Sequence, residues 1–213
     1  MNHDSFIARE GLPFILPLGG ATLLAFLAGF RGFGLVLLIL TLFVVWFFRN
    51  PQRQTPQKAG LVISPADGKV IRIEEATNEE SPGNTYRKIS IFMNVFNVHV
   101  NRIPCSGKVR FIRYREGQFL SADLDKASKL NERNTVMIDT ADGRQILTVQ
   151  IAGLIARRIV CWIREDMEVQ RGERFGLIRF GSRVEVFLPP AAVILIKVGD
   201  KVRAGETPIG ELT

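Results

Sequence analysis

The sequence predicts a mainly β domain with a few short helices, a barrel-sandwich-like β fold behind an N-terminal hydrophobic helical membrane anchor. Three observations predict it: two uncharged apolar stretches near the N-terminus, a series of short β-rich runs from Gly60 onward, and turn residues between those runs. At 213 residues the chain suits one domain plus an anchor, with ample material for a core.

The anchor comes first, over residues 1–49. Leu12 to Phe30 carries no charge, and neither does Gly32 to Phe48; Arg31 alone separates them. A helix crossing the hydrocarbon core needs about 20 residues, so each half is just long enough and a helical hairpin is expected. Arg49, Arg53 and Lys58 follow the second half, which places that end in the cytoplasm by the positive-inside bias. A single tilted span, loosened by Pro13, Pro17, Gly19 and Gly20, and a hairpin dipping into one leaflet are the other topologies open to the sequence. The stretch is too long and starts too late for a cleavable signal peptide. Neither half is amphipathic, which speaks against a buried pair of core helices.

Residues 50–59 form a polar, proline-bearing linker, and the main domain is expected over 60–213. Its strands are predicted at Leu61–Ile63, Lys69–Ile73, Lys88–Met93, Val109–Tyr114, Thr135–Asp139 and Ile146–Ile151. Turns are predicted at Ala66-Asp67-Gly68, Ser81-Pro82-Gly83-Asn84, Pro104-Cys105-Ser106-Gly107 and Ala141-Asp142-Gly143-Arg144, the last a good hairpin turn. Leu120, Leu124, Ala127 and Leu130 recur at helical spacing and predict a helix over 121–130. Val184, Val186 and Leu188 alternate as a paired strand would, and Val193 to Val198 reads as a second apolar strand.

Net charge is +7, and residues 1–48 contribute none of it, since Arg9 and Arg31 balance Asp4 and Glu10. A basic domain beside an apolar anchor points to an anionic membrane surface, worth about 1 kcal/mol per well-placed Lys or Arg. Nucleic acid is not the expected partner: there is no basic helix, aromatic RNA-binding signature or zinc finger. Cys105 and Cys161 lie far apart and read as two reduced cysteines of a cytoplasmic protein. Neither has metal-ligand spacing and the chain has two histidines, so no metal site is expected.

Gly181-Ser182 carries the chemistry. A serine after a glycine can cleave its own backbone if the fold strains that peptide. The hydroxyl attacks the Gly181 carbonyl and turns the amide into an ester; elimination across Cα–Cβ frees the glycine carboxylate and leaves dehydroalanine. Hydrolysis with loss of ammonia then gives a pyruvoyl group on a new N-terminus. Glycine suits the position because it tolerates conformations closed to other residues.

The surroundings carry a resemblance. The segments are Arg179-Phe180-Gly181-Ser182-Arg183-Val184-Glu185-Val186-Phe187-Leu188-Pro189, Ser64-Pro65-Ala66-Asp67-Gly68-Lys69-Val70, and Phe96-Asn97-Val98-His99-Val100-Asn101-Arg102-Ile103-Pro104-Cys105-Ser106-Gly107. With them go Asn131-Glu132-Arg133-Asn134 and Val198-Gly199-Asp200-Lys201-Val202-Arg203-Ala204-Gly205-Glu206. In this order the set resembles the short-form phosphatidylserine decarboxylase proenzymes, which are pyruvoyl-dependent, from about Arg49 onward. Ser64–Val70 and Val198–Glu206 also resemble strand-turn elements of biotinyl and lipoyl carrier modules, which are flattened β-barrels.

The resemblance implies self-cleavage into 1–181 (β chain) and 182–213 (α chain), a heterodimer of the chain's own two fragments. It implies a covalent pyruvoyl cofactor derived from Ser182, a phospholipid substrate, and work at the cytoplasmic face of the cell membrane. It also implies an Asp–His–Ser self-processing triad. Asp67 and Ser182 match their motifs, and His99 is the candidate base and later proton donor; His3 lies before the anchor and is a poor one. Longer relatives carry a second histidine at the position of Arg102, which cannot act as a base near neutral pH. Either His99 serves both maturation and decarboxylation, or maturation proceeds without a full triad. Arg133 and Arg183 are candidates to hold the phosphodiester, and 118–133 to form a lid with Phe119 and Leu120 dipping into lipid.

Two other functions compete. One is the same chemistry on another serine-headed lipid of the archaetidylserine type. The other is a membrane-anchored biotinyl- or lipoyl-like binding module, although no modifiable lysine stands between methionines or acidic residues at a hairpin tip. A soluble pyruvoyl enzyme acting on a free amino acid would need no anchor.

Overall fold

The computed structural model describes residues 5–124, 126–154, 158–179 and 181–212. Phe180 of the Phe180-Gly181-Ser182 motif and His3 lie outside the described residues. The chain divides into two compact units, Met1–Gln52 and Arg53–Thr213.

In the first unit a 3-10 turn, Arg9–Gly11, leads into α1 (Leu12–Leu27), which is followed by α2 (Arg31–Phe47). Pro13 sits in the first turn of α1, where a missing N–H costs nothing. Between the helices the hydroxyls of Thr22 and Thr41 are 3.0 Å apart, each also within 2.8 Å of the carbonyl four residues upstream. Backbone bonds tie the base of the pair: Ala8 N–H donates to Phe48 O at 2.8 Å and Asn50 N–H to Phe6 O at 2.7 Å. Among the described residues, one helix, Arg9–Leu27, is long and apolar enough to cross a membrane; α2 is equally apolar in character but shorter. Leu16, Leu23, Leu24, Phe33, Leu35 and Ile39 are all exposed.

The second unit is mostly β, as the sequence predicts. Its strands are β1 (Leu61–Ile63), β2 (Gly68–Asn78), β3 (Ser81–Met93), β4 (Val100–Arg102), β5 (Gly107–Arg115), β6 (Arg133–Asp139) and β7 (Gln145–Ala152). They continue as β8 (Ile159–Cys161), β9 (Glu168–Val169), β10 (Arg174–Ile178), β11 (Ser182–Leu188), β12 (Val193–Ile194), β13 (Lys201–Val202) and β14 (Pro208–Glu211). The largest sheet is antiparallel, in the order β13-β2-β3-β11-β7-β6-β5-β9, and curls into a half-barrel. Two three-stranded sheets, β1-β14-β12 and β4-β10-β8, complete the unit.

β11 lies near the middle of the large sheet, paired along its length with β3 and over most of it with β7. Its alternation sorts two faces. Val184, Val186 and Leu188 join Val62, Ile91, Phe175 and Ile178 in the main core. Phe187 joins Tyr86, Met137, Leu147 and Ile151 on the other side.

Three expectations are corrected. The helix expected over 121–130 is only one turn, α3 (Ala127–Leu130). Upstream of it Ser121 and Asp123 bond each other and Leu124 N–H turns back to Ser121 O, which draws these residues out of the helical ladder. Ser81-Pro82-Gly83-Asn84 is not the turn between β2 and β3; Asn78 pairs with Ser81, and 82–84 form a bulge in β3 braced by the Ser81 and Tyr86 hydroxyls at 2.8 Å. The strand expected over 193–198 stops at Ile194. The Asp142-Gly143 hairpin turn joins β6 to β7 as expected, with Gly143 at φ +80°.

Candidate active site

Ser182 opens β11, opposite Met93 on β3 and Ala152 on β7, and is fully buried. Its position fixes the side-chain direction: it shares a face with Val184 and Val186, so the hydroxyl points into the core, where Oγ donates to Met93 Sδ at 3.4 Å. Gly181, just outside the strand, has φ +65°, a conformation that L side chains rarely adopt. Its carbonyl lies over the end of β7. A Cβ built on Gly153 would fall well inside contact distance of the Gly181 oxygen, 3.0 Å from its carbonyl carbon and 3.2 Å from Ala122 Cβ.

Asn131 anchors that end of β7. Its Nδ2 donates to Ala152 O at 2.7 Å and to Leu120 O at 2.8 Å, and its Oδ1 accepts from Leu120 N–H at 3.0 Å. Asn131 is wholly buried, so these bonds satisfy an amide that would otherwise be costly to desolvate. Leu120 and Ala122 thereby belong to a strap held over the Gly181–Ser182 junction. Phe119 is half-buried and packs against the main core.

Met93 is also the end of a buried amide ladder. Asn134 Nδ2 donates to Gln150 Oε1 at 3.0 Å, Gln150 Nε2 to Asn101 Oδ1 at 2.8 Å, and Asn101 Nδ2 to Met93 Sδ at 3.7 Å. The ladder steps across β6, β7, β4 and β3, so it links four strands to the thioether that holds the serine. Gln150 and Met93 carry no signal in the sequence read one residue at a time.

His99 lies just before β4 and is buried. Its Nδ1 is 3.0 Å from Asn97 O, which can only accept, so Nδ1 carries the proton and Nε2 is the basic nitrogen. Its own carbonyl accepts Ile178 N–H at 3.3 Å, tying it to β10, the strand that precedes Gly181-Ser182.

Asp67 is engaged elsewhere. Arg53 Nη2 donates to both its oxygens, at 3.1 and 2.9 Å, and Ala204 N–H donates to Oδ1 at 2.8 Å. Arg53 Nη1 also reaches Glu206 at 3.2 Å. Arg102 belongs to the same cluster: its Nη1 donates to Gly172 O at 2.7 Å, and burial, helped by Arg174 and Arg53, brings its pKa down to about 10. It stays a cation at neutral pH and is no base. Asp67, His99 and Ser182 are therefore each bonded to a different neighbour, Arg53, Asn97 and Met93. Arg53, read in the sequence as a linker charge, is another residue that the sequence does not single out.

Arg183 and Arg133 lie on the outer face of the large sheet, opposite the Ser182 hydroxyl. Arg183 donates to Ser128 Oγ and, at 3.3 Å, to Leu124 O, and pairs with Glu185 at 3.3 Å. Arg133 donates to Lys129 O at 2.6 Å and pairs with Glu79 at 3.2 Å. Both border clefts lined also by Lys88, Ser128, Lys129 and Glu185. Among the described residues, no group of three or more His, Cys, Asp or Glu is arranged to hold a metal ion.

Comparison with known proteins gives a consistent result. A family model described as phosphatidylserine decarboxylase matches residues 40–210. The phosphatidylserine decarboxylase proenzyme of Syntrophus aciditrophicus (strain SB) is 61% identical over 211 residues, covering 99% of each chain. That of Desulfotalea psychrophila is 47% identical over 206 residues, covering 97% of this chain and 96% of its own. That of Cereibacter sphaeroides is 48% identical over 208 residues, covering 96% and 89%.

Proposed function

Because the chain belongs to the phosphatidylserine decarboxylase family, and is an enzyme of the decarboxylase class, we propose that it cuts its own Gly181–Ser182 amide, turns Ser182 into a pyruvoyl group, and converts phosphatidylserine to phosphatidylethanolamine and CO2 at a membrane surface. One observation carries the reading: a wholly buried serine follows a glycine in the left-handed region, with the carbonyl between them pressed against a second glycine.

In maturation the Ser182 Oγ–H adds to the Gly181 carbonyl as its proton passes to a base. The C–N bond breaks, the Ser182 nitrogen takes up a proton, and an ester remains. Loss of the Ser182 Cα proton then breaks Cβ–Oγ and releases Gly181 as a carboxylate; water adds and ammonia leaves. His99 is the base of this reading, because the Asn97 carbonyl fixes its tautomer with Nε2 basic. Arg102 is unsuited, being protonated at neutral pH. Asp67 supports the site from the Arg53 cluster, and its bond to Ala204 N–H joins the two fragments.

The residues around Ser182 fit a pyruvoyl precursor: burial excludes bulk water, and the serine sits at what becomes a chain end inside the core. Once formed, the pyruvoyl group would supply a ketone able to take up a primary amine and to drain the electron pair left as CO2 departs. His99 then returns a proton to the substrate carbon. Arg133 and Arg183, on the outer face of the sheet, would meet a phosphodiester there only after exchanging Glu79, and Ser128 and Glu185, for it. The apolar helices of residues 1–49, with the exposed side chains of α1 and α2, serve as the membrane anchor, and the basic main domain faces the anionic cytoplasmic leaflet.

Denaturing electrophoresis with intact-mass analysis tests the reading. It expects fragments 1–181 and 182–213, the smaller blocked at its N-terminus, and expects Ser182→Ala to leave the chain whole and without phosphatidylserine decarboxylation. A single uncut chain in active wild-type protein overturns it.

A further inference from the structure

Gly153 and Asn131 lie outside the reacting residues, yet both bear on the one carbonyl that must be attacked. Ala152 pairs with Ser182, so Gly153, just past the end of β7, meets Gly181 where the two strands part. A Cβ there would collide with the Gly181 oxygen and crowd its carbon, and the space behind is closed by Ala122. A contact with backbone on one side and a packed methyl on the other leaves no flexible side chain to give way.

Asn131 fixes the other components of this stack. It holds the Ala152 carbonyl and both backbone groups of Leu120, so the end of β7 and the strap carrying Ala122 are located by one buried amide. Glu132 adds a further tie, its carbonyl accepting Ala152 N–H at 2.9 Å. The order is strap, Gly153, Gly181 carbonyl, with the Ser182 hydroxyl directed away toward Met93 on β3. The carbonyl oxygen and the nucleophile are thus referred to opposite neighbours, β7 and β3.

We propose that Gly153 and Asn131 are positioning residues for self-cleavage: the absent side chain at 153 forms a seat for the scissile carbonyl, and Asn131 holds that seat in register. The seat keeps Gly181 at positive φ with its carbonyl held against the end of β7. Filling it turns the peptide out of line, and misplacement of a reacting group by about 1 Å costs on the order of 100-fold in rate.

The inference rests on the self-cleavage reading and is tested in the same assay. Full-length chain is synthesised in a cell-free system with liposomes of phosphatidylglycerol and phosphatidylethanolamine, and the appearance of fragments 1–181 and 182–213 is followed by mass. Gly153→Ala is expected to be cut about 100-fold more slowly than wild type. Gly107→Ala serves as the control for strain alone, since a Cβ at Gly107 meets the Asp139 backbone oxygen in the same manner, in β5, away from the junction; it is expected to be cut at the wild-type rate. Hydroxylamine separates the steps. If the seat acts on the attack, no ester accumulates and hydroxylamine leaves Gly153→Ala uncut; if only later elimination is impaired, it cleaves the ester and frees a serine N-terminus.

Cutting of Gly153→Ala at the wild-type rate, equal slowing of Gly107→Ala, or hydroxylamine cleavage of the Gly153 variant overturns the inference. Should Gly153→Ala melt far below wild type, Asn131→Ala decides, because it inserts no atom. It is expected to slow cutting, and an unchanged rate overturns the inference. Wild-type protein that stays uncut would instead remove the self-cleavage reading itself.

Discussion

Ser182 and Arg183 are adjacent in sequence and opposite in surroundings. The hydroxyl enters the core against Met93, while the guanidinium reaches Ser128 and Glu185 on the outer face. The parity of a strand dictates this, and a strand over Val184–Leu188 was readable, so the separation was available to a stricter use of the two-residue period. Burial shapes another residue. The Cys105 thiol is pushed up to about 12, chiefly by desolvation. Its folded pKa is above its ordinary value of about 9, so the folded state favours the neutral thiol, and stability present below pH 9 is lost as pH rises toward 12. Melting followed from pH 8 to 11 is expected to show Tm falling more steeply for wild type than for Cys105→Ala at the alkaline end. At neutral pH the same thiol is expected to resist alkylation.

At the scale of elements, the site is a meeting of strand ends. β11 begins, β7 ends and β3 ends within one register of each other, at Ser182, Ala152 and Met93. What keeps them aligned beneath the surface is the ladder Asn134–Gln150–Asn101–Met93. Gln150 is its hinge, donating to one amide and accepting from another while wholly buried. Gln150→Leu removes both bonds and leaves the Asn134 and Asn101 amides without that partner, at a cost of about 1–3 kcal/mol for each group left unsatisfied. Chemical denaturation of the Ser182→Ala chain, with and without Gln150→Leu, measures this loss free of any cleavage. An unchanged midpoint would mean that the ladder contributes nothing to the fold. The strap 118–131 illustrates the opposite case. Leu120, Leu124, Ala127 and Leu130 have helical spacing, but Asn131 takes the Leu120 backbone and only the last turn closes as helix.

At the scale of the whole main domain, the residues after Gly181 are not an appendage. β11 is inserted between β3 and β7, β13 pairs with β2, and β12 and β14 share a sheet with β1. Val184, Val186 and Leu188 are completely buried, and each buried side chain of this size contributes about 1.5–3 kcal/mol. Asp67, before Gly181, also accepts from Ala204, after it. The cut chain is therefore expected to stay whole without denaturant. Detergent-solubilised cleaved protein should elute as one species containing 1–181 and 182–213, and should separate only when urea or guanidinium unfolds the sheet. Loss of the small fragment on dilution under native conditions would contradict this arrangement.

The sequence by itself determined the β character of the main domain, the paired apolar helices and the family motif around Gly181-Ser182. Each is local: period-two alternation, an uncharged run of spanning length, and a glycine followed by serine within a recognisable neighbourhood. Tertiary structure alone decided the rest. Arg53 meets Asp67 across a turn, Gln150 meets Asn101 across two sheets, and Gly153 receives the carbonyl of Gly181 where two strands diverge. A glycine used for the space it leaves has no signature in a single sequence, and a buried amide looks like any other until its partners arrive from strands far away in the chain. These contacts exist because pairing of distant strands brings them together, and a linear reading contains no term for that register.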